Sequence, residues 1–153
     1  LGDAWIPVLY STKVRTQRTR AYSLDIPERE NPSDILFTLL GIELKVGKRR
    51  FACPDLATAR YLRVFAWAGC RSVAVPYDIT KISVLADEIE VAWHKMLLLH
   101  HEKLGRGRSP QVVGRSRAAV IRRLRTEIAD AGAGPKMPEF DVNATGGIRT
   151  TGG

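Results

Sequence analysis

Apolar residues recur along this chain with two different periods, and the switch between them marks out its elements. Trp5 to Tyr10 carries Ile6, Val8 and Tyr10 at period two, and Arg20 to Ile26 carries Tyr22, Leu24 and Ile26 in the same way. With the polar stretch Ser11 to Arg18 between them, these runs predict a β-hairpin. A turn-rich connection follows over Glu28 to Asp34, where the Asn31-Pro32 step disfavours helix. Ile35 to Leu40 is then almost wholly apolar, and two readings stand: a short helix capped by Ser33, or a buried strand.

The pattern is firmer beyond Gly41. Ile42 to Val46 alternates apolar and charged residues, Gly47-Lys48 reads as a turn, and Arg49 to Cys53 returns as a second strand. Pro54-Asp55 opens a helix with Leu56, Ala59, Leu62, Val64 and Phe65 on its apolar side, ending at Gly69. Arg71 to Pro76 is β-rich, so Cys53 through Pro76 reads as strand, crossover helix, strand. Apolar positions three and four apart (Ile82, Leu85, Ile89, Ala92, Met96, Leu99) predict a long helix from Thr80 to about Lys103. Gly105 to Pro110 is a hinge by composition, with Ser109 as cap and Pro110 at the first helical position of a final helix to about Ala131. The expectation is therefore one α+β domain over residues 1–131, with its core in 5–104 and a basic helix over 109–131. It would hold a small mixed sheet with a crossover helix, two C-terminal helices, and a flexible tail over 132–153.

No apolar run approaches the ~20 residues that a bilayer crossing needs, so no membrane partner is expected. Leu1 to Trp5 has neither the basic opening nor the apolar stretch of a secretion signal, and Cys53 and Cys70 are too few for a disulfide scaffold. An intracellular, reducing, cytoplasmic setting with both cysteines as core thiols is expected.

The net charge of +8 is local. Lys103, Arg106, Arg108, Arg115, Arg117, Arg122, Arg123 and Arg125 fall in a stretch without acids, while the rest of the chain holds 16 residues of each sign. At 100° per residue, Val113, Val120, Ile121, Leu124 and Ile128 share one side of the last helix, and Arg115, Arg122 and Arg123 gather on the other. Guanidinium groups bind phosphate in a bidentate fork, so nucleic acid, DNA before RNA, is the expected partner. Lys13, Arg15, Arg18 and Arg20 form a second, smaller acid-free patch.

The strand Ile42-Glu43-Leu44-Lys45 puts Glu43 and Lys45 on one face, and Asp34 stands upstream. A second carboxylate near Glu43 would let the pair hold Mg²⁺, an oxygen-seeking cation, with Lys45 orienting water or offsetting phosphate charge. The segment from about Pro32 to Pro76 resembles the PD-(D/E)xK nuclease superfamily, and within it the archaeal Holliday-junction resolvases. The likeness rests on the acidic residue, the I-E-x-K strand, the basic hairpin, the Pro-initiated helix ending in Phe65-Ala66-x-x-Gly69, and the strand Ser72 to Val75. The resemblance implies a Mg²⁺-dependent endonuclease with Asp34 and Glu43 as metal ligands, Lys45 as the catalytic lysine, and Arg49 and Arg50 near the substrate backbone. If Ile35 to Leu40 were helical, Glu28, Glu30 or Asp25 would have to replace Asp34. Asp87, Glu90, His94 and His101 fall at helical spacing and invite either a metal site or solvated ion pairs. A non-catalytic assembly subunit, dimerising through its C-terminal helices, is the competing expectation.

Overall fold

The computed structural model describes residues 2–104 and 107–136. A short 3-10 turn leads into α1 (Ile6–Leu9), which runs on as a π turn over Tyr10–Val14. The strands are β1 (Thr19–Ser23), β2 (Ser33–Thr38), β3 (Gly41–Val46), β4 (Arg49–Cys53) and β5 (Ser72–Pro76). Between β4 and β5 lies α2 (Leu56–Ala68), and the long α3 (Ile79–Leu104) and α4 (Pro110–Ala131) follow. The class is α+β, with the strand-helix-strand unit and two C-terminal helices in the expected order.

The strands form two antiparallel sheets, β1-β5 and β2-β3-β4, in place of the expected single mixed sheet. The reason lies at Ala74 in β5. Its N–H donates to the Tyr10 hydroxyl at 2.9 Å, and its C=O accepts from the Tyr61 hydroxyl at 2.7 Å. With those backbone groups taken by tyrosines, β5 pairs only with β1.

Ile6 to Val14 is helical, so the N-terminal hairpin does not form. Ile6, Tyr10 and Val14 recur every four residues and are all buried, whereas Val8, part of the period-two pattern, is only half-buried. Pro7 sits in the first turn, where its missing N–H costs nothing. Ser11, Thr12 and Thr16 turn their hydroxyls back onto carbonyls four residues earlier. The Tyr10 hydroxyl also donates to the Gly132 carbonyl at 2.6 Å, tying α1, β5 and the end of α4 together.

Of the two readings for Ile35 to Leu40, the strand is observed, but half-buried and not buried. Leu39 and Leu40 make the β2-β3 turn, and Gly41 at φ +122° starts the return strand. The Thr38 hydroxyl donates to the Gly41 carbonyl and accepts from the Leu40 amide, closing the turn with groups the dipeptide lacks.

Eight of the thirteen residues of α2 are buried, so the helix is enclosed on nearly every side. Asp55 caps its first turn by accepting from the Thr58 amide at 2.7 Å. Gly69, at φ +80°, ends it, with its own N–H and that of Cys70 returning to the Ala66 and Phe65 carbonyls. The link from β1 to β2 crosses this end so closely that a Cβ on Gly69 would lie 2.4 Å from the Arg29 carbonyl oxygen. Asn31 fastens the link by donating to the carbonyls of Pro27, Arg29 and Ala66. Cys53 and Cys70 are free and buried, and desolvation pushes each thiol up to about 12. After α4, Ala21 donates to the Pro135 carbonyl and pairs with Lys136, so 132–136 runs back along β1; residues 137–153 of the expected flexible tail lie outside the described residues.

Gly69→Ala is expected to cost at least about 2 kcal/mol, from the left-handed backbone and the collision with Arg29 together. Gly114→Ala, inside α4 with open space around the added methyl, is expected to add about 0.5–1 kcal/mol. Urea melts of both variants beside the wild type check this pair, and equal midpoints for all three would contradict it.

Candidate nucleic-acid and metal site

Strand register brings the acidic and basic candidates of the sheet onto one surface. In β2-β3-β4, Asp34 lies opposite Lys45, which lies opposite Arg50. One pleat along, Leu36, Glu43 and Ala52 form the next row on the same face. The other face carries Leu44, Val46, Phe51 and Cys53 into the core against α2, as the alternation in β3 implied. Asp34 and Glu43 are thus diagonal neighbours across a hairpin, about 7–8 Å apart at Cα, from which two carboxylates can converge on one cation.

The four polar groups differ in their surroundings. Glu43 is 5% exposed and accepts from Arg50 Nη1 at 3.3 Å, longer than a strong charge-assisted bond. Arg50 and Asp34 are exposed, and Lys45 is half-buried beside them. The face therefore offers a sunken carboxylate, a second carboxylate at its rim, and two cations. Arg49 belongs to the other pleat and pairs with Asp25 at 3.0 Å, so it does not join this group. Glu30 holds Arg117 through both carboxylate oxygens, at 2.9 and 2.5 Å. With Ile35 to Thr38 in a strand, register rather than elimination sets Asp34 beside Glu43; Asp25 and Glu30 pair elsewhere, and Glu28 lies in the link before β2.

The basic helix α4 has the expected two sides: Ile121, Leu124 and Ile128 are buried, while Arg115, Arg122 and Arg123 are exposed. Its arginines divide by role. Arg125 donates to the Ala68 carbonyl at the C-terminus of α2, and Arg117 binds Glu30. Arg123 binds Glu127 at 2.9 Å and lies over the Trp5 ring at 5.6 Å, while Trp5 Nε1 donates to the same glutamate. Arg108, Arg115 and Arg122 are exposed and have no ion pair among the described residues; Arg106 lies outside them. The smaller N-terminal patch is dispersed as well. Lys13 pairs with Glu88, Arg15 donates to Ala131 and Thr19, and Arg18 and Arg20 both lie over Tyr77, at 5.0 and 5.2 Å. The i, i+2 spacing of Arg18 and Arg20 at the entry to β1 puts both on one side of the extended chain, which lets them share Tyr77.

On α3, Asp87 and Glu90 face arginines of α2. His94 rests against the Trp67 ring at 5.6 Å, and among the described residues no three His, Cys, Asp or Glu side chains gather as a metal cluster. No protein-family model, no curated protein and no solved structure matches this chain. Among the described residues no helix is long and apolar enough to cross a membrane.

Glu90 titrates below its ordinary 4.5: burial opposes this, and hydrogen bonds from Arg60 and Arg63 outweigh it. A carboxylate depressed in the folded state stabilises fully above its unfolded pKa and loses that contribution as pH falls through the folded value. Thermal stability is therefore expected to drop as pH falls below 4.5, and Glu90→Gln is expected to flatten that acid limb. Melting curves over a pH series check the difference, and parallel profiles for the two proteins would contradict it.

Proposed function

We propose that the protein is a metal-dependent nuclease acting on DNA inside the cell, with its reaction centre on the face of β2-β3-β4 turned away from α2. The observation that carries this reading is the grouping of Asp34, Glu43, Lys45 and Arg50 on one face, with the two carboxylates diagonal across the hairpin. The PD-(D/E)xK resemblance would set the acidic residue and the E-x-K strand side by side, and the β2-β3 register supports that reading. Two free, buried thiols are compatible with a reducing compartment.

The residues fit magnesium. Both candidate ligands offer hard oxygen donors, and among the described residues the buried Glu43 carboxylate has as its ion-pair partner Arg50, at a long 3.3 Å and with a half-exposed side chain. Bound there, Mg²⁺ would supply Lewis acidity at a phosphoryl oxygen and a water of lowered pKa. Asp34 and Glu43 would hold it. Lys45, opposite Asp34 in the register, would set its ammonium against a nonbridging phosphate oxygen. On release from Glu43, Arg50 would grip the neighbouring phosphate in a bidentate fork. Arg108, Arg115 and Arg122 would add phosphate contacts farther along the duplex, making binding steeply salt-dependent.

Cleavage of junction, flap and linear DNA with Mg²⁺ or Mn²⁺ is the direct assay. Glu43→Gln and Lys45→Ala are each expected to lower the rate at least about 100-fold with folding retained, and Lys45→Ala to leave metal binding intact, since an ammonium is no ligand. Chelator is expected to stop the reaction. If the protein retains DNA at low salt yet cuts none of these substrates with either metal, the nuclease reading fails and a binding role through the α4 arginines remains.

A further inference from the structure

The outer face of α3 carries an apolar stripe that none of the described residues covers. Val84, Val91 and Leu98 are 59%, 66% and 57% exposed. They repeat every seven residues on the side of the helix roughly opposite Ile82, Ile89 and Met96, which face the core. Beside the stripe runs a second heptad column, Lys81, Glu88, Lys95 and Glu102, in which the sign alternates at every step. On its far side run Thr80, Asp87, His94 and His101.

We propose that this face binds a second copy of the chain in antiparallel orientation, with the two-fold axis at Val91. In an antiparallel helix pair related by a two-fold axis, each column meets its own copy in reverse order. Reversal about residue 91 sets Val91 against Val91 and Val84 against Leu98. To within one residue of that reversal, Lys81 faces Glu102 and Glu88 faces Lys95, so every charge in the column lies across from its opposite, and on the far side Asp87 lies across from His94. A parallel pair brings the two flanking columns together, placing Glu88 against Asp87, a like-charge contact. The self-complementarity is thus specific to one orientation and one register.

The surroundings favour this occupant. Glu88 is bound to Lys13 at 2.7 Å, and Lys95 of the second copy would bring another cation to the same carboxylate. Val91 also forms one wall of a cavity of about 770 Å³ between α1 and α3, whose lining includes Val8, Leu9 and Ala92, so apolar surface continues beyond the stripe. The interface leaves the β2-β3-β4 face clear and does not depend on the cleavage reading.

Sedimentation of the full chain, with disulfide trapping, tests the proposal. The wild type is expected to dimerise by roughly 100 µM, and Val91→Lys to stay monomeric at that concentration. Under mild oxidation Val91→Cys is expected to give a covalent dimer. Val84→Cys alone is not, because its own copy lies about 20 Å away along the axis, while Val84→Cys with Leu98→Cys is expected to link. The native cysteines are buried and leave the background clean. Lys81→Glu is expected to weaken the dimer about tenfold, and Lys81→Glu with Glu102→Lys to restore it. A wild type that remains monomeric at that concentration overturns the proposal. So does equal trapping of the two single cysteine variants, or a charge swap that fails to rescue.

Discussion

Enclosure of α2 is the constraint on which the rest of the structure depends. A helix buried on nearly every side cannot be satisfied by one sheet, and here β2-β3-β4, β5, α3 and α4 all pack against it. Its C-terminal end is the tightest point. There Gly69 admits the Arg29 backbone, Asn31 ties the crossing link to the Ala66 carbonyl, and Arg125 of α4 closes the Ala68 carbonyl. That link delivers the chain into β2, and Trp67 of α2 donates to the Ser33 carbonyl at the first residue of the strand. The position of Asp34 is therefore set by the end of the central helix, not by a local turn.

From β3 onward the elements were legible in the sequence because pattern and punctuation agree: alternation in Ile42 to Val46, Pro54-Asp55 and Gly69 at the ends of α2, Ser109-Pro110 at the start of α4. The N-terminal segment was misread because Ile6, Val8 and Tyr10 satisfy period two while Ile6, Tyr10 and Val14 satisfy period four, and only tertiary burial chooses between them. The separation into two sheets was hidden for a similar reason. It depends on two tyrosine hydroxyls reaching Ala74 from 64 and 13 residues away. Within the candidate site, Glu43 and Lys45 could be placed on one face from the strand alone, but the company of Asp34 and Arg50 required the register of two hairpins.

The arginines give the same lesson in electrostatic terms. Charge segregation along 103–125 is real, yet Arg117 and Arg125 find partners 87 and 57 residues distant, and Arg123 is joined to Trp5 through Glu127. Part of what reads as a polyanion-binding face is the fastening of α4 to the body. Among the described arginines of this stretch, Arg108, Arg115 and Arg122 are exposed and without an ion pair. On the sheet, the sunken Glu43 carboxylate is balanced by the exposed Arg50 at 3.3 Å, and on the proposed reading that arginine would give way to a cation and turn to phosphate.

The central claim, that Asp34 and Glu43 share one divalent cation, is tested most directly by titrating Mn²⁺ into the isotopically labelled protein and following paramagnetic broadening of its backbone amide signals. Early, selective broadening is expected at residues 34–36 and 43–45, abolished by Asp34→Asn. Broadening that begins at Asp87 and Glu90, or that spreads evenly over surface carboxylates while residues 34–45 stay sharp, would contradict it.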